Sequence, residues 1–255
     1  MNAARLTVAS VRYYWRTHLG VVLGTALAAT VLIGSLLVGD SVKATLKRQA
    51  LQRVGKIDVA LTAGDRFFRS ALANEIDQTT APVLIVRGSA ARTDGAARIN
   101  AAQVLGVDER FWKLAPTDTP PLKGEDIALN ERAAGQLGVK TGDPIVLRIE
   151  KPGAFSRDAP LSGEENEVVS IRATIGRIVG DDEFGRFSLA ASQVPPASVF
   201  VPLDYLQKRL EFGGRANLLI ARGSIETFQT EIKRRWTLSD AGLKLLDLPE
   251  STGTE

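Results

Sequence analysis

The feature that most constrains this chain is a run of twenty residues without a charge, Leu19 to Val38. At 1.5 Å rise per residue, a helix of this length spans about 30 Å, the thickness of the hydrocarbon core of a bilayer. A helix that is apolar on every side is either buried in a large core or surrounded by lipid. The run therefore predicts a transmembrane helix over 19–38, with a buried helix of a soluble protein as the less economical alternative.

The residues before the run suit the headgroup region of a membrane. Three amphipathic rings and two flexible cations occur within five positions, and such side chains place an apolar body near lipid and a polar tip near water. We assign 1–18 to an N-terminus that ends at the interface. The interface residues are Arg12, Tyr13, Tyr14, Trp15 and Arg16.

A cleaved signal peptide is the main rival of a membrane anchor. A signal peptide has a shorter apolar core, followed by a small-x-small cleavage site. Here the core is followed by Val38-Gly39-Asp40-Ser41, which offers no good site. The sequence therefore favours an uncleaved anchor.

The apolar run contains a stripe of small residues at helical spacing: Gly20, Gly24 and Ala28. Such a stripe lets a second transmembrane helix approach closely, although glycine and alanine are also common in spans without a partner. These three positions are candidate packing positions.

The segment after the run continues the helical pattern. Apolar residues recur at Val42, Leu46, Ala50 and Val54, no proline interrupts them, and Gly55 is a natural terminator. We predict that the helix continues beyond the membrane over 39–55 as a stalk. The alternative is a separate amphipathic helix whose cations lie on lipid headgroups.

Charge is distributed unevenly along the chain. Residues 1–56 hold eight Lys and Arg against one acid, whereas the remaining 24 basic and 28 acidic residues sum to −4. The basic character thus belongs to the N-terminus, and the main domain has no nucleic-acid-binding composition. Lys and Arg are slightly more numerous after the apolar run than before it, which by itself favours a cytoplasmic location for the large domain.

From Lys56 onward the sequence alternates between strand and helix patterns, and we predict an α+β fold. Predicted strands have period-2 alternation or continuous β-rich runs. They are 57–61, 82–86, 98–107, 127–129, 145–149, 168–179, 197–201 and 216–221.

Local signals predict several helices between these strands. Asn130 should cap a helix through Leu137, and Ser224 a helix through Trp236. A further helix should open at Gly64-Asp65 with Phe67 and Phe68 on one side, and another should run from Leu203 to Glu211. Phe111 and Trp112 should form a short aromatic helix or turn within the core.

Catalytic chemistry has little support in the sequence. Cysteine is absent, and the single histidine, His18, lies at the predicted membrane boundary. No GxxxxGK[ST], GxGxxG, HExxH or GxSxG motif is present. The acidic clusters at 164–167 and 181–183 could bind a divalent cation, but they are more typical of solvated loops. We predict no catalytic, cofactor-binding or metal site.

Several segments together resemble the start of an FtsX-type permease of an ABC transporter, the family of the macrolide-exporter and lipoprotein-releasing permeases. A basic N-terminus and one span lead into VGDSVKATLKRQALQRVGKIDVALTAGDRFFRSALA. The later matching segments are LNERAAGQLGVKTGDPIVLRI, VFVPLDYLQKRLEFGGRANLLIA and TLSDAGLKLL. The resemblance covers nearly the whole chain and depends on the order of these segments.

The resemblance implies a cytoplasmic N-terminus in the bacterial inner membrane and a periplasmic domain after the first span, which overrides the charge count. It also implies that this domain has a first α/β part over 56–124, an inserted β-rich part over 125–202 and a return to the α/β part over 203–255. It implies ATP bound by a separate ATPase subunit, a second permease subunit, and motion passed through the stalk to a domain that handles a lipophilic or peptide-like cargo. The family's three later spans are missing from these residues, so we expect an N-terminal fragment. A membrane-anchored periplasmic hydrolase and a single-pass sensor or adaptor are the alternatives.

Overall fold

The computed structural model describes residues 3–151, 167–190 and 194–241, apart from the side chains of Ala3, Ala4 and Gln49. Two compact units divide the chain, with the boundary between Leu51 and Gln52. Most of the predicted polar loop at 151–166 and the second half of the TLSDAGLKLL segment lie outside the described residues.

The N-terminal unit is helical. Helix α1 covers Ala3–Tyr13 and helix α2 covers Trp15–Val54, a single helix of 40 residues. The prediction of one helix running past Gly39 is confirmed, because nothing in this segment interrupts the backbone ladder. Helix α1 was not predicted. It follows from the absence of Pro and Gly in 3–13 and from hydrogen bonds that bridge the bend, such as the Tyr14 amide to the Ser10 carbonyl at 2.9 Å.

The second unit is a mixed α/β domain built on an eight-stranded sheet, which confirms the predicted α+β class. A two-stranded sheet of β2 and β9 lies beside it. The strands are β1 Val59–Thr62, β2 Phe68–Arg69, β3 Ala81–Arg92, β4 Arg98–Val107, β5 Ile127–Asn130, β6 Pro144–Glu150, β7 Val168–Val179, β8 Ala197–Pro202, β9 Arg215–Ala216 and β10 Leu218–Ala221. The helices are α3 Leu72–Ile76, α4 Glu109–Lys113, α5 Glu131–Leu137, α6 Leu203–Arg209 and α7 Ile225–Arg235, and a 3₁₀ turn covers Asp181–Glu183.

Six strands of the large sheet close into a barrel. The sheet order is β1-β10-β3-β4-β8-β5-β7-β6, and β6 also pairs with β3, which is long enough to bond β4 along one edge and β6 and β10 along the other. The pairs β4–β8 and β5–β7 are parallel, and the other barrel pairs are antiparallel. Strands from the predicted segments 56–124 and 125–202 thus share one barrel. The division into an inserted β-rich part stays a prediction.

Three buried clusters stabilise the domain. The largest contains alternate residues from all six barrel strands, for example Leu84, Val104 and Leu147, as expected for side chains that fill a small barrel. The second is aromatic and includes the predicted core residues Phe111 and Trp112. The third joins β1, β2, β9 and β10 to α3 and α7.

One local prediction was wrong. Phe68 does not lie on a helix that opens at Gly64-Asp65, because it is fully buried in β2, where it pairs with Ala216 of β9. The helix begins only at Leu72. Sequence-distant pairing therefore overrides the local helical pattern at these positions.

Candidate functional site

The last two residues of α2 and the four residues that connect it to β1, Arg53–Asp58, all belong to the second unit, and we call them the entry segment. Gly55 follows the last residue of α2 and has φ +57°, the left-handed conformation in which many helices end. The predicted role of Gly55 as helix terminator is confirmed.

Gly55 is also enclosed by neighbouring atoms. A Cβ at this position would lie 2.7 Å from the Leu114 carbonyl oxygen, 2.8 Å from Cε1 of Phe184 and 2.9 Å from Cδ of Pro116. All three distances are shorter than real Cβ contacts, so both the backbone conformation and the space require glycine.

Hydrogen bonds connect the entry segment to two parts of the domain. The Lys56 amide donates to the Leu114 carbonyl at 2.8 Å, and the Lys56 ammonium donates to Asp118 at 3.0 Å. Two residues later, the Asp58 amide donates to the Ala221 carbonyl at 3.0 Å, which starts the pairing of β1 with β10. The segment is therefore attached both to the loop after α4 and to the sheet.

The loop that receives the entry segment rests on the aromatic cluster. The ring centroids of Phe111 and Phe184 are 4.7 Å apart, and those of Trp112 and Phe200 are 5.2 Å apart. Ring pairs at these distances stabilise each other beyond the area they bury. Phe184 therefore contacts both Gly55 and the core of the domain.

Arg177 of β7 holds the same loop from the barrel side. Its guanidinium carbon lies 4.7 Å from the centre of the Trp112 ring, and its Nη1 donates to the Pro120 carbonyl at 2.9 Å. Its Nε and Nη2 are buried without a hydrogen-bond partner among the described residues. Burial lowers the pKa of Arg177, and the negative charge of Glu183 partly opposes this shift.

The predicted interface residues surround the junction of α1 and α2. The Tyr13 and Tyr14 rings are 4.9 Å apart in an edge-to-face arrangement, and the Arg16 guanidinium carbon lies 5.6 Å from the Trp15 ring centre. All three rings are exposed in the isolated chain. Their place at a membrane interface stays a prediction.

The predicted packing and stalk residues all lie on α2. Gly20 and Gly24 have open space around them, and Val42 and Leu46 are exposed. Helix α2 is long and apolar enough to cross a membrane by its length and composition. Partners of these residues stay a prediction.

A second group of hydrogen bonds attaches the last described residues to β2. Asp240 is buried and accepts two hydrogen bonds from the Arg69 guanidinium, while Arg69 also donates to Glu75 at 2.9 Å. This network was not predicted, because no local pattern pairs residues so distant in sequence. A single acid such as Asp240 carries no signal of burial by itself.

Within the described ranges, no three His, Cys, Asp or Glu side chains are grouped so that they could hold a metal ion. In the acidic cluster 181–183, Asp181 pairs with Arg186 at 3.2 Å, and Glu183 accepts the Gly180 amide. Glu164 and Glu165 of the other cluster lie outside the described residues.

Comparison with known proteins gives several similar solved structures, and two of them are described here. No protein-family model and no curated protein sequence matches the chain. The periplasmic region of MacB from Actinobacillus actinomycetemcomitans is 11% identical over 66% of this chain and 72% of that chain, with a TM-score of 0.44. The extracellular domain of the noncanonic ABC-type transporter YknZ from Gram-positive bacteria is 10% identical over 72% of this chain and 94% of that chain, with a TM-score of 0.42. This chain is similar to both.

Proposed function

We propose that this chain is a permease subunit of an ABC transporter in the bacterial cytoplasmic membrane, with its large domain on the periplasmic or extracellular side. The observation that carries the proposal is the course of α2. One helix contains the apolar run and ends at Val54, and the next residue, Gly55, is enclosed by Leu114, Pro116 and Phe184 of the domain. The sequence segments that resemble FtsX-type permeases support the same assignment.

The subunit acts by transmitting motion and not by catalysis. A separate ATPase subunit binds ATP, and its closure moves the membrane helices. The stalk residues Val42, Leu46, Ala50 and Val54 belong to the same helix as the span, so a displacement in the membrane reaches the entry segment. The outer domain then handles a lipophilic or peptide-like cargo for export or release.

Within the second unit, the contacts define how a displacement would reach the barrel. A shift of Gly55 presses on Leu114 and Pro116, because these atoms leave no free space beside it. The loop carrying them is bonded to the barrel strand β7 through Arg177 and Pro120. Tight packing passes on displacement instead of absorbing it.

A second permease subunit packs against the small-residue stripe of the span. Gly20 and Val42 are about six helical turns apart and differ by only about 40° around the axis of an ideal helix. The packing stripe Gly20, Gly24 and Ala28 and the start of the stalk stripe therefore lie on one side of α2. A partner helix could contact both stripes.

The orientation can be tested on the full chain, whose lack of cysteine gives a clean background. We would introduce Ser10→Cys or Thr93→Cys and treat spheroplasts with a membrane-impermeant maleimide. We expect labelling of Thr93→Cys in intact spheroplasts and of Ser10→Cys only after permeabilisation. The reverse pattern, or recovery of either variant in the soluble fraction, would contradict the proposal.

Transmission requires the complex with the ATPase, purified through a tag on this chain. A fluorophore on Thr93→Cys should change its emission when ATP is added. Ala50→Pro should abolish this change and leave ATP hydrolysis, because proline breaks the helical ladder. Ala50→Leu, which keeps the helix, is the matched control. An unchanged response with Ala50→Pro would overturn the transmission role.

A further inference from the structure

The domain has a groove of about 380 Å³ between α5, the start of β8 and the described residues Ser188, Ala190 and Val194. This size falls within the range of ligand sites. Its polar wall contains Gln103 of β4 with Arg132 and Gln136 of α5. Its apolar wall contains Ala190, Val194 and Pro195.

A single buried side chain holds three parts of this groove in place. The Nδ2 of Asn130 donates to the Gly185 carbonyl at 2.7 Å and to the Pro196 carbonyl at 2.9 Å. Its Oδ1 accepts the Ala133 amide at 2.9 Å and the Ser198 amide at 3.0 Å. The start of α5, Gly185 and the start of β8 are therefore tied to one amide group, which holds these parts in fixed positions before a ligand binds.

The polar side chains in the groove have unused hydrogen-bonding capacity. The side chains of Gln103, Arg132 and Gln136 make no hydrogen bond or ion pair with any residue in 3–151, 167–190 or 194–241. Arg132 and Gln136 are one helical turn apart on the exposed face of α5 and so present their donors to the same space.

The side chains that line the groove favour a ligand with a carboxylate and peptide groups. Arg132 is the one charged residue among the described residues that line the groove, and a guanidinium binds a carboxylate with two parallel hydrogen bonds. Each glutamine amide both donates and accepts, which matches the N–H and C=O groups of a peptide backbone. The small apolar wall suits short aliphatic side chains.

We propose that this groove binds the carboxylate end of an extended polypeptide. Arg132 holds the terminal carboxylate, Gln103 and Gln136 bond the peptide groups before it, and Val194 and Pro195 contact its side chains. The site belongs to the second unit alone, and it does not depend on whether the chain is a permease.

The test uses the full chain in detergent micelles with ¹⁵N-labelled glutamine. The probe is the peptide acetyl-Ala-Val-Ala with a free carboxylate, compared with the same peptide ending in an amide. We expect saturable shifts of the Gln103 and Gln136 side-chain amides with the acid. The amide form should bind about tenfold more weakly, because it loses the charge-assisted bonds.

Two variants and one further ligand complete the test. Arg132→Gln should remove the preference for the acid, whereas Arg222→Gln, at an exposed arginine outside the groove, should keep it. Hexanoate, which has a carboxylate and no peptide group, should bind more weakly than the peptide acid. Equal binding of acid and amide, binding of hexanoate as tight as that of the peptide, or no shift at about 10 mM peptide would each overturn the proposal.

Discussion

Arg69 and Asp240 are joined by two parallel hydrogen bonds, from Nε to Oδ1 at 3.0 Å and from Nη2 to Oδ2 at 2.9 Å. Asp240 also accepts the Arg69 amide at 3.1 Å and both the amide and the hydroxyl of Thr237, at 2.9 and 2.7 Å. The Asp240 side chain is 0% exposed, and that of Arg69 is 33% exposed. The pair therefore fastens the last described residues to β2, close to the third cluster.

Stability at acid pH should depend on this pair. Burial alone would raise the pKa of Asp240, but the hydrogen bonds from Arg69 and Thr237 outweigh it and lower the pKa to about 2. A carboxylate with a depressed pKa stabilises the fold above its unfolded pKa of 3.8, and this contribution is lost as pH falls from about 4 to about 2. The shift corresponds to about 2 kcal/mol.

Asp240→Asn should remove that contribution. At pH 7 we expect the domain's Tm to fall by about 4–8 °C, measured by tryptophan fluorescence of the full chain in detergent. The loss of stability between pH 4 and 2 should also become shallower. Asp94→Asn, which breaks an exposed pair with Arg92, is the matched control and should change the Tm less. Equal effects of the two variants would contradict the role of Asp240.

Replacement of Gly55 should distinguish backbone strain from crowding. Gly55→Ala introduces a left-handed alanine, which costs about 1 kcal/mol, and a Cβ that overlaps three atoms, which adds about 1–3 kcal/mol. Gly64 has nearly the same φ, +61°, but open space around it. Gly64→Ala should therefore lower the free energy of unfolding by only about 1 kcal/mol, the cost of a left-handed alanine.

The measurement is the free energy of unfolding of the two variants in urea, followed by tryptophan fluorescence. A larger loss for Gly55→Ala than for Gly64→Ala would confirm that the entry segment is tightly packed. Equal losses would mean that the loop of Leu114 and Pro116 yields to the added carbon, and that the entry segment transmits little displacement.

Features with local causes could be predicted from the sequence. The bounds of β4, 98–107, follow from its apolar pattern, and the caps at Asn130 and Ser224 follow from side chains that accept amides three residues later. Helix α2 follows from its composition. Each of these signals is contained within a short window of sequence.

The remaining features depend on residues far apart in sequence. Closure of the barrel requires β3 to pair with β6, and no pattern in either strand identifies that partner. Phe68 is in a strand because Ala216 lies beside it. Arg177 and Asp240 are ordinary polar residues in the sequence, and only the folded chain buries Asp240 and two nitrogens of the Arg177 guanidinium group. The groove of Arg132 could not be predicted for the same reason.

Loss of the Asn130 side chain should destabilise the domain more than loss of a helix cap does. Asn130→Ala leaves the Ala133 and Ser198 amides without their acceptor and two buried carbonyls without a donor, so we expect a loss of about 2–4 kcal/mol. Asn130→Ser should recover about 1 kcal/mol, because serine can cap α5 but is too short to tie the other segments. The free energy of unfolding of both variants in urea tests whether Asn130→Ser is intermediate between the wild type and Asn130→Ala. If serine restored the full stability, the helix cap alone would account for the contribution of Asn130.

Association through the span can be tested by cross-linking. If a second copy packs against the Gly20, Gly24 and Ala28 stripe, Gly24→Cys should form a disulfide-linked dimer when membranes are oxidised, because close helices bring equivalent positions within disulfide distance. Val22→Cys is the matched control. It lies two residues away on the same helix, about 200° around the axis, and so faces away from that partner. The cysteine-free chain ensures that any dimer arises from the introduced thiol.

Dimers from Gly24→Cys alone would assign the stripe to a homodimer contact. Similar yields from both positions would show random collision, and that result would rule out the stripe as a contact between copies of this chain.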